Sequence, residues 1–169
     1  GPGTTNYSRL NEILEIIYND ETNLVLDAAC IEIVKSKKFS SLPIITPHEG
    51  EAAKLLGINV DEISNKREYY AQKISDKFSV ITVLKGYETI ITDGNEIYIC
   101  KDGDSSLAFA GSGDILAGLI GSFLAQGAKR IDSCLLGVSI HAYSATNSKL
   151  KRGLTANELI DLIRKNLNQ

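Results

Sequence analysis

The chain has 169 residues, enough for one domain with a substantial core and too few for two ordinary ones. Lysine and arginine total 18 against 21 aspartates and glutamates, a net charge of −3, and no basic run is present, which argues against nucleic acid as the main partner. No apolar stretch approaches the ~18 residues of a membrane span, so neither membrane insertion nor a signal peptide is expected.

Residues 5–18 carry Leu10, Ile13, Leu14 and Ile17 at helical spacing, with Thr5 or Asn6 as a cap. The run Leu24-Val25-Leu26 ends at Asp27 and reads as a short buried strand, followed by a helix over 29–36. Pro43-Ile44-Ile45-Thr46 is a second strand, broken by Pro47-His48-Glu49-Gly50-Glu51 before a helical AAKLLG. One helix is predicted over 61–77, with Ile63, Tyr70, Ala71 and Ile74 inward, and a third strand over 80–84 ends at Lys85-Gly86. Segments 89–92 and 96–100 flank Asp93-Gly94, a hairpin signal.

The stretch 110–127, AGSGDILAGLIGSFLAQG, combines a glycine turn with a helix. Ile115, Leu116, Leu119, Ile120, Phe123 and Leu124 make its apolar face, and Gly127 stops it. Ala117, Gly118, Gly121 and Ser122 form a stripe of small residues on which a neighbouring element is expected to pack against bare backbone. Residues 130–149 form a long helix whose middle, apolar or small nearly all round, predicts burial on more than one side. A last helix starts at Thr155, with Glu158 completing a capping box, and presents Leu159, Ile160, Ile163 and Leu167 inward. Cys30, Cys100 and Cys134 lack CxxC or metal-ligand spacing and read as buried thiols in a reducing compartment, which makes the cytoplasm the expected location.

Short apolar strands alternating with helices predict an α/β fold, a mainly parallel sheet covered on both faces. Ligands in such sheets sit at the carboxyl ends of strands, where Asp27, 46–51, Lys85-Gly86 and the Gly111 loop would line one edge. Gly111, Ser112 and Gly113 lead into a helix N-terminus, a ready anion hole because free N–H groups and the helix dipole favour negative charge. It is not a Walker A loop, since no Lys-Ser or Lys-Thr follows. Asp114 in the first helical turn is either a partner of the dipole or a base poised beside a bound phosphate, and spacing leaves both open. Taken alone, Lys85 could equally be a solvated strand-end lysine and His48 a loop residue. His141, on the long helix, reads as a hydrogen-bonded core histidine.

In one order the chain carries GPG at 1–3, LVLDA at 24–28, TPHEGE at 46–51, VLKGYETIITDG at 83–94, AGSGDILAG at 110–118, then HAYSA and LTANELI. Together these resemble the ADP- or ATP-dependent NAD(P)H-hydrate dehydratases of the ribokinase-like superfamily. The resemblance covers essentially the whole chain and implies one ribokinase-like domain over 1–169, lacking its N-terminal part, with GPG an internal loop. It implies repair of NADHX or NADPHX to NAD(P)H, by phosphorylation of the ring hydroxyl and elimination of phosphate, with ADP or ATP as co-substrate and Mg²⁺ on its phosphates.

On that resemblance Asp114 is the catalytic base and, with Gly3 and His48, touches substrate; Lys85, Gly86, Tyr87, Glu88, Thr89 and Gly113 bind nucleotide. No protein cluster for a metal shows in the sequence. An NAD(P)H-hydrate epimerase, fused or separate, is the implied partner, and a homo-oligomer is expected. The chain departs from the family's DADxLN at 27–32, DAACIE here, and has Glu49 where the family commonly has proline. The alternatives are a small-molecule kinase of the same superfamily acting on a vitamin-precursor alcohol or sugar, and a non-catalytic nucleotide-binding remnant.

Overall fold

Five short strands form one sheet in sequential order: β1 (Val25–Leu26), β2 (Ile44–Ile45), β3 (Ile81–Leu84), β4 (Thr89–Thr92) and β5 (Ile97–Cys100). This is a computed structural model, and it describes residues 1, 7–19, 22–150 and 152–168. β1, β2 and β3 are parallel, with Ile44 opposite both Val25 and Ile81. β4 is antiparallel to β3 and to β5, so only β4 runs against the other four strands. The antiparallel part is the hairpin predicted from Asp93-Gly94; Asp93 Oδ1 accepts from the Asn95 and Glu96 N–H groups at 2.9 and 3.1 Å.

Successive strand residues point to opposite sides, and β2 and β3 are buried on both, while β5 leaves Ile97 and Ile99 exposed. Ile45, Leu84 and Ile90 enter one core with α1 (Tyr7–Ile17), a 3-10 segment (Ala28–Lys35), α2 (Glu49–Leu56), α3 (Val60–Asn65) and α4 (Arg67–Phe78). Ile44, Ile81, Val83 and Ile91 enter the other, beneath α5 (Ser112–Ala125) and α6 (Arg130–Thr146). A third cluster joins α7 (Ala156–Leu167) to α5 and α6 through Leu159, Ile163, Ile115 and Leu119. α6 packs on α5, α7 and the sheet at once, the burial on several sides that its composition predicted. Among the described residues, no helix is long and apolar enough to cross a membrane.

Several expectations need correction. The helix over 29–36 is a 3-10 segment, entered through Ala28 at φ +52. The single helix over 61–77 is two, broken at Lys66 (φ −144, ψ 53), and α2 begins at Glu49, ahead of the AAKLLG run. The glycines of the small stripe on α5 do not receive a close neighbour: a Cβ at Gly118 or Gly121 has nothing within 4 Å. The close approach lies instead on α6, where a Cβ at Gly137 would sit 2.8 Å from Ile120 Cγ1 and 3.3 Å from the Ile120 nitrogen. Ile13, Ile160 and Leu167 are exposed, and Cys100 is half-buried. The capping box at Thr155 is present, its hydroxyl accepting from Glu158 N–H at 3.4 Å. Thr5, Asn6, Gly3 and the Ile17 side chain lie outside the described residues.

Candidate active site

The carboxyl ends of the three parallel strands meet. Asp27, one residue past β1, is only 5% exposed, and its carboxylate accepts from the Thr46 hydroxyl beyond β2 and from Lys85 Nζ beyond β3, the latter at 3.0 Å. A second carboxylate, Glu51 of α2, lies 4.0 Å from the same ammonium. The Lys85 N–H donates to Pro47 O at 2.8 Å, tying the second and third turns together. Lys85 is therefore not a solvated strand-end lysine; its side chain is 20% exposed and pairs with the buried Asp27 carboxylate.

The same ammonium stands over the start of α5. A Cβ at Gly113 would lie 3.1 Å from Lys85 Nζ, so the cation and the open amides of the helix terminus share one corner. Gly111 enters the helix at φ +96, a left-handed conformation that a side chain would strain, and this is what turns the chain sharply into α5. Ser112 is buried beside His141, whose Nε2 is 3.1 Å from the Ser112 carbonyl and 3.3 Å from its hydroxyl. A carbonyl can only accept, so Nε2 carries the proton and the Ser112 hydroxyl keeps its own hydrogen free to donate. Burial, with a smaller contribution from the Lys85 charge, pushes the His141 imidazole down to about 4, so the ring is neutral at pH 7. The expected core histidine is thus present, and it holds Ser112, the middle residue of the 111–113 loop.

Between the 85–89 turn and α5 opens a cavity of about 490 Å³, within the size range of small-molecule sites. Lys85, Gly86, Tyr87, Glu88 and Thr89 line it together with Ser112 and Gly113, bringing seven of the residues singled out in the sequence to one place. Its far side is apolar, built from Leu107, Phe109, Leu116, Val138 and Ala142. The lining thus combines the Lys85 ammonium, the carboxylates of Glu88, Asp102 and Asp104, and an apolar wall.

Gly111 and Asp114 do not line this cavity; Asp114 is exposed on the first turn of α5, beside Gly113. His48 caps α2, its Nδ1 accepting the Glu51 N–H at 3.2 Å while Glu51 accepts the His48 N–H at 2.8 Å. Its side chain is 60% exposed, and it reaches the Lys85 corner only through Glu51. Gly3 falls outside the described residues. Sequence reasoning missed Asp27 and Glu51 as partners of Lys85, and the 102–109 wall altogether. The acids at 27 and 51 stood inside the noted LDA and HEGE stretches; the wall is loop around a short 3-10 turn (Ser105–Leu107), with no periodic signal. Among the described residues, no group of three or more His, Cys, Asp and Glu could hold a metal.

A family model described as NAD(P)H-hydrate dehydratase matches residues 1–166. The chain is similar to the bifunctional NAD(P)H-hydrate repair enzyme Nnr of Vibrio cholerae, with 34% identity over 172 residues, 99% of this chain and 35% of that protein. It is similar also to the ADP-dependent (S)-NAD(P)H-hydrate dehydratase of Neisseria meningitidis, with 40% identity over 114 residues, 67% of this chain and 38% of that protein. Among solved structures, the ADP/ATP-dependent NAD(P)H-hydrate dehydratase from Bacillus subtilis, co-crystallised with ATP and Mg²⁺ and soaked with CoA, superposes with a TM-score of 0.87 at 27% identity, over 96% of this chain and 62% of that one. The chain spans little more than a third of the length of the two sequence relatives.

Proposed function

The chain belongs to the NAD(P)H-hydrate dehydratase family, and on that premise we propose that it uses ADP or ATP to return NADHX or NADPHX to NAD(P)H. One observation carries the reading: the Lys85 ammonium stands over the Gly113 end of α5, at the mouth of an apolar-walled cavity. In this reading the purine ring would lie against Leu107, Phe109 and Val138, and the polyphosphate beside Lys85 and Gly113. Lys85, the Ser112 hydroxyl and the amides of the 111–113 loop would hold the charge that accumulates on the transferring phosphoryl group. Such a transfer needs mostly positioning and electrostatic stabilisation.

Asp114 adjoins this corner and faces water, where the hydroxyl of the hydrated ring can approach it. In the proposed sequence its carboxylate accepts the hydroxyl proton as the oxygen attacks the terminal phosphorus and the bond to the nucleotide leaving group breaks. The ring carbon–oxygen bond then breaks with its electron pair leaving on phosphate, and the adjacent carbon gives up a proton to water as the double bond forms. His48, exposed at the end of β2, and Gly3 would contact the dinucleotide. The described side chains suit a Mg²⁺ carried by nucleotide phosphates and water, since Asp27 and Glu51 are already engaged by Lys85. Bound there, it would neutralise phosphate charge.

A partner epimerase, fused or separate, and homo-oligomerisation belong to the same proposal; the bifunctional Vibrio relative supports a second activity beside this one. The wide spacing of Cys30, Cys100 and Cys134, without CxxC, supports a reducing compartment, and so the cytoplasm. The test is Asp114→Asn in the full-length gene product. NAD(P)H recovery should fall by ~10²–10⁴ with nucleotide affinity retained. A variant as fast as wild type ends the role of Asp114, and a stable phosphorylated alcohol as product would favour a kinase instead.

A further inference from the structure

Arg67 opens α4, where a cation is opposed by the helix dipole, so the local sequence gives no reason for it. Its side chain is only 15% exposed and runs to the turn after β3. Nη2 donates to the carbonyls of Leu84 and Lys85, both at 3.3 Å, and Nη1 to those of Tyr87 and Glu88, the latter at 3.3 Å. Glu49 of α2 holds the guanidinium from the other side, 3.0 Å from Nε and off the N–H axis, so that contact is ionic. The Ser64 hydroxyl of α3 donates to the same carboxylate. The glutamate that stands where the family commonly has proline is thus part of a brace.

The brace shapes the turn. In a trans peptide the C=O of one residue and the N–H of the next point in opposite directions. With the Lys85 and Tyr87 carbonyls drawn to Arg67, the N–H groups of Gly86 and Glu88 face away from it. Residues 85–89 line the cavity and Arg67 does not, so the turn lies between the two. Gly86 (φ +144) and Glu88 (φ +57) both sit in the left-handed region, a conformation that costs free energy unless the surroundings hold it. A Cβ at Gly86 would meet Arg67 Nη2 at 2.7 Å, so the guanidinium fills the place of a side chain.

We infer that Arg67 is a positioning residue that pre-forms the 86–88 turn as an amide cradle for the polyphosphate of the nucleotide, without touching the nucleotide itself. The inference rests on the nucleotide reading of the cavity. Four carbonyls held by one fork cannot be reproduced by a point-charge ammonium, so lysine at this position should restore little.

The test compares ADP with adenosine by calorimetric titration of wild type, Arg67→Ala and Arg67→Lys in the full-length protein. Arg67→Ala should weaken ADP by roughly tenfold or more, the scale of lost charge-assisted hydrogen bonds, while adenosine affinity moves less than about threefold. Arg67→Lys should recover less than half of that loss on a logarithmic scale, and it supplies the same ratio if Arg67→Ala does not fold. Equal loss of ADP and adenosine would mean general damage to the cavity and overturn the inference. Unchanged ADP affinity in both variants would overturn it while leaving the nucleotide reading intact. A wild type that binds neither ligand would bring down the nucleotide reading, and this inference with it.

Discussion

Lys85→Ala separates two jobs of one ammonium. Asp27 is 5% exposed, and besides Lys85 its carboxylate has only the Thr46 hydroxyl as a described side-chain partner. Removing the cation strands a buried charge, and breaking such a pair from one side costs ~3–5 kcal/mol. Lys85 is 20% exposed, so water can enter its place, and the lower end, about 3 kcal/mol, is expected. For a domain of this size that is a fall in Tm of roughly 6–12 °C. Asp27→Asn removes the stranded charge, so Lys85→Ala/Asp27→Asn should regain about 2 kcal/mol relative to Lys85→Ala. Urea unfolding at pH 7 of the four proteins measures this coupling, and ADP titration of the double mutant reads the nucleotide role with the charge problem relieved. If Lys85→Ala stays within ~0.5 kcal/mol of wild type and the cycle is additive, the buried-pair argument is refuted.

Gly137→Ala should destabilise by about 1–3 kcal/mol, because its methyl meets Ile120 side chain and backbone, whereas exposed Gly118→Ala should be neutral or gain up to ~1 kcal/mol of helix propensity; denaturant melts compare them directly. His141 supplies a pH dependence. Its folded value of about 4 lies below the ~6.5 of an unfolded histidine, so the unfolded chain takes up the proton first. The stability is fully present above pH ~6.5 and declines as pH falls toward 4, by about 2 kcal/mol at pH 5. His141→Gln should remove that slope between pH 7 and 5, and an unchanged slope would show that folding does not depress the proton affinity of the ring.

The alternation of strands and helices, the Asp93-Gly94 hairpin and the Thr155 cap were legible because each is set by residues within a few positions of one another. The apolar face of α5 was legible for the same reason: Leu116, Ile120 and Leu124 repeat at the helical period and are all buried. Periodicity names a face, however, without saying what covers it. Ile160 and Leu167 share the helical spacing of Leu159 and Ile163, yet they lie at the margin of the stripe and remain in water.

By itself the sequence determined the order of elements, the glycine turn into α5, and the family to which the GSGD, TPHEGE and LKG motifs belong. Those are properties of adjacent residues, whose backbone preferences and spacing survive without the rest of the fold. Tertiary structure alone decided that Lys85 neutralises Asp27, 58 positions away in the chain, and that Ser112 leans on His141. It also decided the break at Lys66, which no glycine or proline marks. That break starts α4 at Arg67, from where the guanidinium reaches four carbonyls of the 84–88 turn. A buried charge and an open carbonyl each require a partner, and only the folded sheet determines which distant side chain arrives to supply it.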